Sequence, residues 1–178
     1  MKKVAFILII IGVVIVIGCY LQSCGGEQKA SEREDVWYVD TVSVIKVPFQ
    51  RTGGDLIEIQ VSLNGVPMNM WWDSGASTSC ISALELLQLA KQGRITLDDY
   101  QREVTTRIAD GSTSYNMMFN IKELYIEAKD NKHLILNNID VLVSPNEGAP
   151  LLLGQNVMMN LPKYVINDAE GVIEFEEQ

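Results

Sequence analysis

The stretch Met70-Trp71-Trp72-Asp73-Ser74-Gly75-Ala76-Ser77-Thr78-Ser79-Cys80-Ile81-Ser82 decides how this chain is read. An apolar strand pattern, Val66 to Trp72, runs straight into one carboxylate, Asp73. Apolar walls raise the cost of ionising a carboxyl group. The Ser74-Gly75 turn lets backbone and hydroxyl groups approach that carboxyl closely. Such surroundings suit a carboxylate that activates water. The competing reading is a plain surface turn, because Asp, Ser and Gly all favour turns.

Upstream, Asp55 to Leu63 alternates at period two, which predicts a half-buried strand. Asn64-Gly65 is a strong hairpin signal and turns the chain into the strand that ends at Asp73. Thr41 to Pro48 reads as an earlier β-branched strand. Downstream, Ser82-Ala83-Leu84-Glu85 is a capping box, followed by Leu84, Leu87 and Ala90 at helical spacing and Gly93 as a stop. Val104 to Ala109 and Ser114 to Phe119 flank Asp110-Gly111, a second hairpin signal. Ile121 to Ala128 and His133 to Val143 predict two further strands joined by Lys129-Asp130-Asn131. Leu151 to Gly154 reads as a short apolar strand, Gln155 to Leu161 as a short helix, and Tyr164–Asn167 with Val172–Glu176 as a closing hairpin. Many short strands with regular turn signals indicate a small β-barrel or sandwich.

Length and charge set the frame. The 178 residues suffice for one domain with a real core. Lys2 and Lys3 precede an apolar run, Val4 to Leu21, laid out like a signal segment. One reading is a lipoprotein signal over residues 1–24, with lipid on Cys24, or on Cys19 as the alternative. The other is an uncleaved anchor, since a span takes about 18–20 apolar residues. Either reading tethers the rest to a membrane outside the cytoplasm, in a periplasm or on a cell surface. Residues 25–35 read as a flexible polar stalk, and residues 36–178 as the folded domain. Removing Lys2 and Lys3 from the 14 basic residues leaves 12 against 23 acidic ones, a net charge near −11. So acidic a domain repels phosphate backbones, so nucleic acid is not expected as a partner. Cys80 is the one cysteine beyond the signal and His133 the one histidine, too few for a structural zinc site.

Asp73-Ser74-Gly75-Ala76-Ser77 resembles the active-site loop of retropepsin-like aspartic proteases. Ile108-Ala109-Asp110-Gly111-Ser112 stands about where such proteases carry a flap hairpin. Leu152-Leu153-Gly154-Gln155-Asn156 is similar to the second family signature, an apolar pair plus glycine entering a helix behind the loop. The order and spacing match from about Thr41 to Phe175, and the details resemble bacterial, membrane-tethered members of the group.

The resemblance implies an all-β, closed β-barrel of acid-protease type with one or two short helices. It implies an aspartic endopeptidase acting on protein or peptide substrates with no metal or organic cofactor. In that family two Asp residues lie about 3 Å apart and share one proton. This chain has one Asp-Ser-Gly motif, so the second Asp is expected from another copy, in a twofold homodimer. Asp73 takes the catalytic role, and Ser74 holds the paired loops. Gly75, Ala76 and Ser77 expose backbone to substrate. Ala109, Asp110 and Gly111 cover the peptide, while Leu153 and Gly154 support the loop. The alternative function is a catalytically silent peptide-binding or scaffold module on the same fold. A Cys80–His133 peptidase lacks any surroundings that would lower a thiol pKa.

Overall fold

The computed structural model describes residues 43–107 and 111–177. The expected signal or anchor (1–24), the stalk (25–35), the domain start at residue 36, and Cys19 and Cys24 lie outside the described residues. The strands are β1 (Val44–Pro48), β2 (Gln50–Thr52), β3 (Leu56–Leu63), β4 (Val66–Trp72), β5 (Cys80–Ser82), β6 (Tyr100–Arg107), β7 (Thr113–Glu127), β8 (His133–Ser144), β9 (Leu152–Leu153), β10 (Tyr164–Asn167) and β11 (Val172–Glu176). Among the described residues two helices join them, α1 (Ala83–Lys91) after β5 and α2 (Gln155–Met158) after β9, with a short 3-10 turn at Leu97–Asp99.

Local chemistry accounts for these elements. β3 buries Ile57, Ile59, Val61 and Leu63 at period two, as a strand with one face on the core must. Asn64 (φ 48°) and Gly65 (φ 82°) both take the left-handed conformation that a two-residue hairpin requires. Ser82 caps α1: its side chain accepts from Leu84 N–H, and Glu85 reaches back to the Ser82 N–H.

β1, β11 and β10 form a three-stranded antiparallel sheet. The larger sheet runs β2-β3-β4-β9-β5-β8-β7-β6, and β3 also pairs with β7. Pairing therefore makes a circuit through β3, β4, β9, β5, β8 and β7. Leu63, Met70, Ile121, Leu124, Val141, Val143 and Leu153 fill the core, with Ile173 and Phe175 of the smaller sheet. Trp72 stitches the two sheets together, edge-on to Tyr164 (5.2 Å) and Phe175 (6.1 Å). Such aromatic pairs contribute about 0.5–1.5 kcal/mol beyond their buried area.

Two expectations are corrected. The strands read separately as Ser114–Phe119 and Ile121–Ala128 are one 15-residue strand, β7. Asn120 does not break it, because β8 pairs along most of its length, with Asn120 opposite Asp140. Its two halves are otherwise claimed by β6 and β3. The stripe Leu84, Leu87 and Ala90 is also not the buried face of α1. Leu84 and Leu87 are 47% and 49% exposed, whereas Leu89 is buried and Leu86 packs against the core.

Candidate active site

The loop from Asp73 to Ser79 leaves the end of β4 and is gripped from behind by the β9–α2 junction. β4 and β9 run parallel, Trp71 N–H donating to Leu151 O at 2.8 Å. The pairing continues one residue past β4, with Asp73 N–H donating to Leu153 O at 3.0 Å. The main chain of Asp73 is thereby fixed to the sheet, while its carboxylate turns into the loop. Asp73 Oδ1 accepts from Gly75 N–H at 2.8 Å, and Asp73 O accepts from Ala76 N–H at 3.3 Å. This is an Asx-type turn, in which an Asp side chain binds its own backbone two residues on.

Gly154 explains why the junction can come so close. A Cβ there would lie 2.7 Å from Thr78 C, 2.8 Å from Ala76 O and 2.9 Å from Ser79 N. Only a residue without a side chain fits. The approach places Gln155 N–H on Ala76 O (2.8 Å) and Asn156 N–H on Ser77 O (3.2 Å). Gln155 Nε2 donates to Ser74 O at 2.9 Å. Asn156 Oδ1 accepts from both the backbone and the hydroxyl of Ser79, at 2.8 and 2.9 Å. The Ser79 oxygen in turn accepts from Gly154 N–H at 3.0 Å. Asn156 Nδ2 completes the cage on Asp140 O of β8, at 2.8 Å. Ser79 is fully buried, so the loop is anchored by satisfied polar groups in the protein interior.

In front of the loop lies a cavity of about 280 Å³. Gly75 to Thr78 bound one side, and Thr106, Ser114 and Asn116 of β6 and β7 another. Leu142, Pro150 and Leu152 contribute an apolar surface. Asp73 precedes the lining stretch and is not part of it. The cavity size and mixed lining suit a peptide side chain.

The expected residues separate as follows. Asp73, Ser74, Gly75, Ala76, Ser77, Leu153 and Gly154 come together in one hydrogen-bonded unit. Gly111 sits at the end of the β6–β7 hairpin with φ 86°, its carbonyl accepting from Arg107 Nε at 3.4 Å. Ala109 and Asp110 lie outside the described residues. Trp72 packs in the core and Trp71 is half-buried, so neither is among the lining residues. Cys80 is half-buried and lines the cavity. Burial pushes its thiol pKa up, partly opposed by a backbone hydrogen bond from Ser144, so it is no ready nucleophile. His133 opens β8 and stacks on Tyr125. Cys80 pairs with Leu142, nine residues further along that strand, roughly 25–30 Å away at strand rise. A Cys–His pair is ruled out. Among the described residues no cluster of His, Cys, Asp and Glu could hold a metal ion.

Sequence reasoning named neither Ser79, Gln155 and Asn156 as loop anchors nor Thr106, Ser114 and Asn116 as cavity lining. The one available signal was Gln155-Asn156, a polar pair between Leu153-Gly154 and Val157-Met158.

The sequence and the fold both resemble known proteins. Residues 59–160 match the family described as "gag-polyprotein putative aspartyl protease". The chain belongs to that family, which is retropepsin-like and aspartic-protease in type. In fold it is similar to a retropepsin-like aspartic protease from Rickettsia conorii, with a TM-score of 0.53 and 14% sequence identity. That likeness covers 75% of this chain and 92% of the other. No curated protein matches the sequence.

Proposed function

We propose that this chain is an aspartic endopeptidase acting as a twofold homodimer, with Asp73 of each copy forming the catalytic dyad. The observation that carries the reading is the Asp73 loop, hydrogen-bonded to its own backbone and clamped from behind by Gly154 to Asn156. Catalytic groups need positions held to a fraction of an ångström, and such a cage supplies that. The sequence has one Asp-Ser-Gly motif, which is why this reading takes the second Asp from another copy.

Two carboxylates in contact cannot both ionise, so one proton is shared between them. The ionised member takes a proton from a bound water as general base, and that water attacks the peptide carbonyl. The protonated member donates a hydrogen bond to the carbonyl oxygen, where negative charge develops. The exposed Ser74 side chain would reach the other copy's loop and keep the carboxylates coplanar. Backbone groups of Gly75, Ala76 and Ser77 would meet the peptide, and the hairpin ending in Gly111 would border it. The circuit of strand pairings supports reading the fold as a closed β-barrel. The N-terminal layout of the sequence supports a tether, through lipid on Cys24 or Cys19 or through the uncleaved apolar run, that holds the domain outside the cytoplasm.

The test is digestion of a diverse peptide library by the full chain, from acidic to neutral pH, beside Asp73→Asn. Cleavage by the native chain and none by the variant is expected. Peptide binding without cleavage by either protein would replace this reading with a silent binding module.

A further inference from the structure

We propose that Asn116 is a positioning residue of the cleft: its amide ties the two arms of the β6–β7 hairpin together and turns the Thr106 hydroxyl proton toward bound peptide. The second half of this statement rests on the peptidase reading.

Four polar residues are buried among the described ones: Ser79, Ser82, Asp99 and Asn116. Three have an evident structural task. Ser79 anchors the loop, Ser82 caps α1, and Asp99 closes the 3-10 turn by accepting from Thr96 N–H. Asn116 caps nothing. It lies within a regular antiparallel ladder, opposite Val104 and two residues from the Thr106–Ser114 pair. A β-branched apolar residue would suit that position better, and burying an amide there costs free energy unless its hydrogen bonds are made.

They are made, one of them across the hairpin and two within β7. Asn116 Nδ2 donates to Thr106 Oγ1 at 2.7 Å and to Ser114 O at 3.3 Å. Asn116 Oδ1 accepts from Ser114 Oγ at 3.3 Å. The reverse amide orientation would set Oδ1 against the Ser114 carbonyl oxygen, so the network fixes which end is which. Both amide protons are then used. Thr106 Oγ1 accepts from the amide, so its own proton must point elsewhere. Among the described residues that proton finds no acceptor. Thr106, Ser114 and Asn116 all line the cavity in front of Gly75 to Thr78. The group the proton would meet is a carbonyl oxygen of the bound peptide. Asn116 therefore acts through Thr106 and does not itself touch the reacting atoms.

The test uses the full chain and the variants Asn116→Ala, Thr106→Val, Thr106→Ser and the double variant Asn116→Ala/Thr106→Val. Three quantities are read: kcat and KM on a cleaved peptide, amide hydrogen exchange along residues 104–107 and 113–116, and Tm. Thr106→Val should raise KM about three- to tenfold, the size of one hydrogen bond, with kcat little changed, and should speed exchange in both arms, because it removes the acceptor of the tie. Thr106→Ser should restore KM. Asn116→Ala should raise KM similarly and also speed exchange in both arms by about tenfold. The double variant should have the KM of Asn116→Ala alone, because the two residues act as one unit. Multiplying KM effects, or a lowered Tm with KM unchanged in every variant, would overturn the proposal. Absence of cleavage by the native chain would sink the peptidase reading alone. Exchange in Asn116→Ala then decides the tie between the arms by itself, and exchange equal to the native chain's would overturn it.

Discussion

Replacing Gly154 by alanine adds one methyl group at the place where the β9–α2 junction touches the Asp73 loop. Gly154 has φ −96°, a conformation open to any residue. Backbone entropy alone would therefore favour alanine, by about 0.4–1 kcal/mol. Space decides the opposite. The new Cβ would stand 2.7–2.9 Å from three backbone atoms of Ala76, Thr78 and Ser79. Non-bonded carbon contacts are most favourable near 3.5–4.0 Å, so the loop or the junction must retreat by roughly 1 Å. Backbone atoms cannot rotate aside as a side chain can. Overpacking of this kind costs about 1–3 kcal/mol. The retreat also strains the bonds from Gly154 N–H to Ser79 Oγ and from Gln155 N–H to Ala76 O, each worth about 1 kcal/mol. The net expectation is about 2–4 kcal/mol of lost stability, read from urea unfolding midpoints. A 1 Å misplacement of a catalytic loop can lower turnover about 100-fold, and peptide cleavage should fall accordingly. Gly148→Ala is the control, because its Cβ would meet only the Asn146 side chain, at 3.7 Å. A Gly154→Ala protein within about 0.5 kcal/mol of native stability, with native turnover, would refute the reasoning.

Further outcomes follow from the same contacts. Ser79→Ala leaves the Gly154 N–H without its acceptor in a buried site, and unfolding should be easier by about 1–3 kcal/mol. Trp72→Ala empties the junction between the sheets and should cost about 3–5 kcal/mol in a denaturation experiment. Asp99 accepts from Thr96 N–H and pairs with Lys122 at 3.0 Å, and these contacts, the backbone bond first, hold its carboxyl below the usual range. A carboxyl with a lowered pKa in the fold stabilises above its unfolded pKa, about 3.9. That contribution fades as pH falls through the folded value. The stability difference between the native chain and Asp99→Asn, measured by urea unfolding, should thus be largest near neutral pH and shrink below about pH 4.

The fold was legible where local chemistry dictates it. Asn64-Gly65 could be read because only such residues tolerate two successive left-handed conformations. Ser82-Ala-Leu-Glu85 could be read because a cap satisfies donors within one turn. The buried face of α1 could not. Leu84 and Leu87, and equally Leu86 and Leu89, are spaced as one helical stripe, and only the surrounding strands choose between them. Nor could the continuity of β7 across Asn120 be read, since it depends on three partner strands. The loop from Asp73 stood out by resemblance. The anchoring contact between Ser79 and Asn156 did not, because the two residues meet across 77 residues of sequence. Asn116 was equally silent: a single Asn in a strand signals nothing until its partner across the hairpin is known.

The proposed dyad is built from two copies of Asp73, and mixing native and variant chains tests it most directly. A fixed amount of native chain is titrated with folded Asp73→Asn chain, and peptide cleavage is followed. If each active site needs an Asp73 from both copies, mixed dimers are inactive. An equal amount of variant should then halve the rate, and a large excess should abolish it. A rate that stays constant as variant is added, with mixed dimers demonstrably formed, would contradict the account.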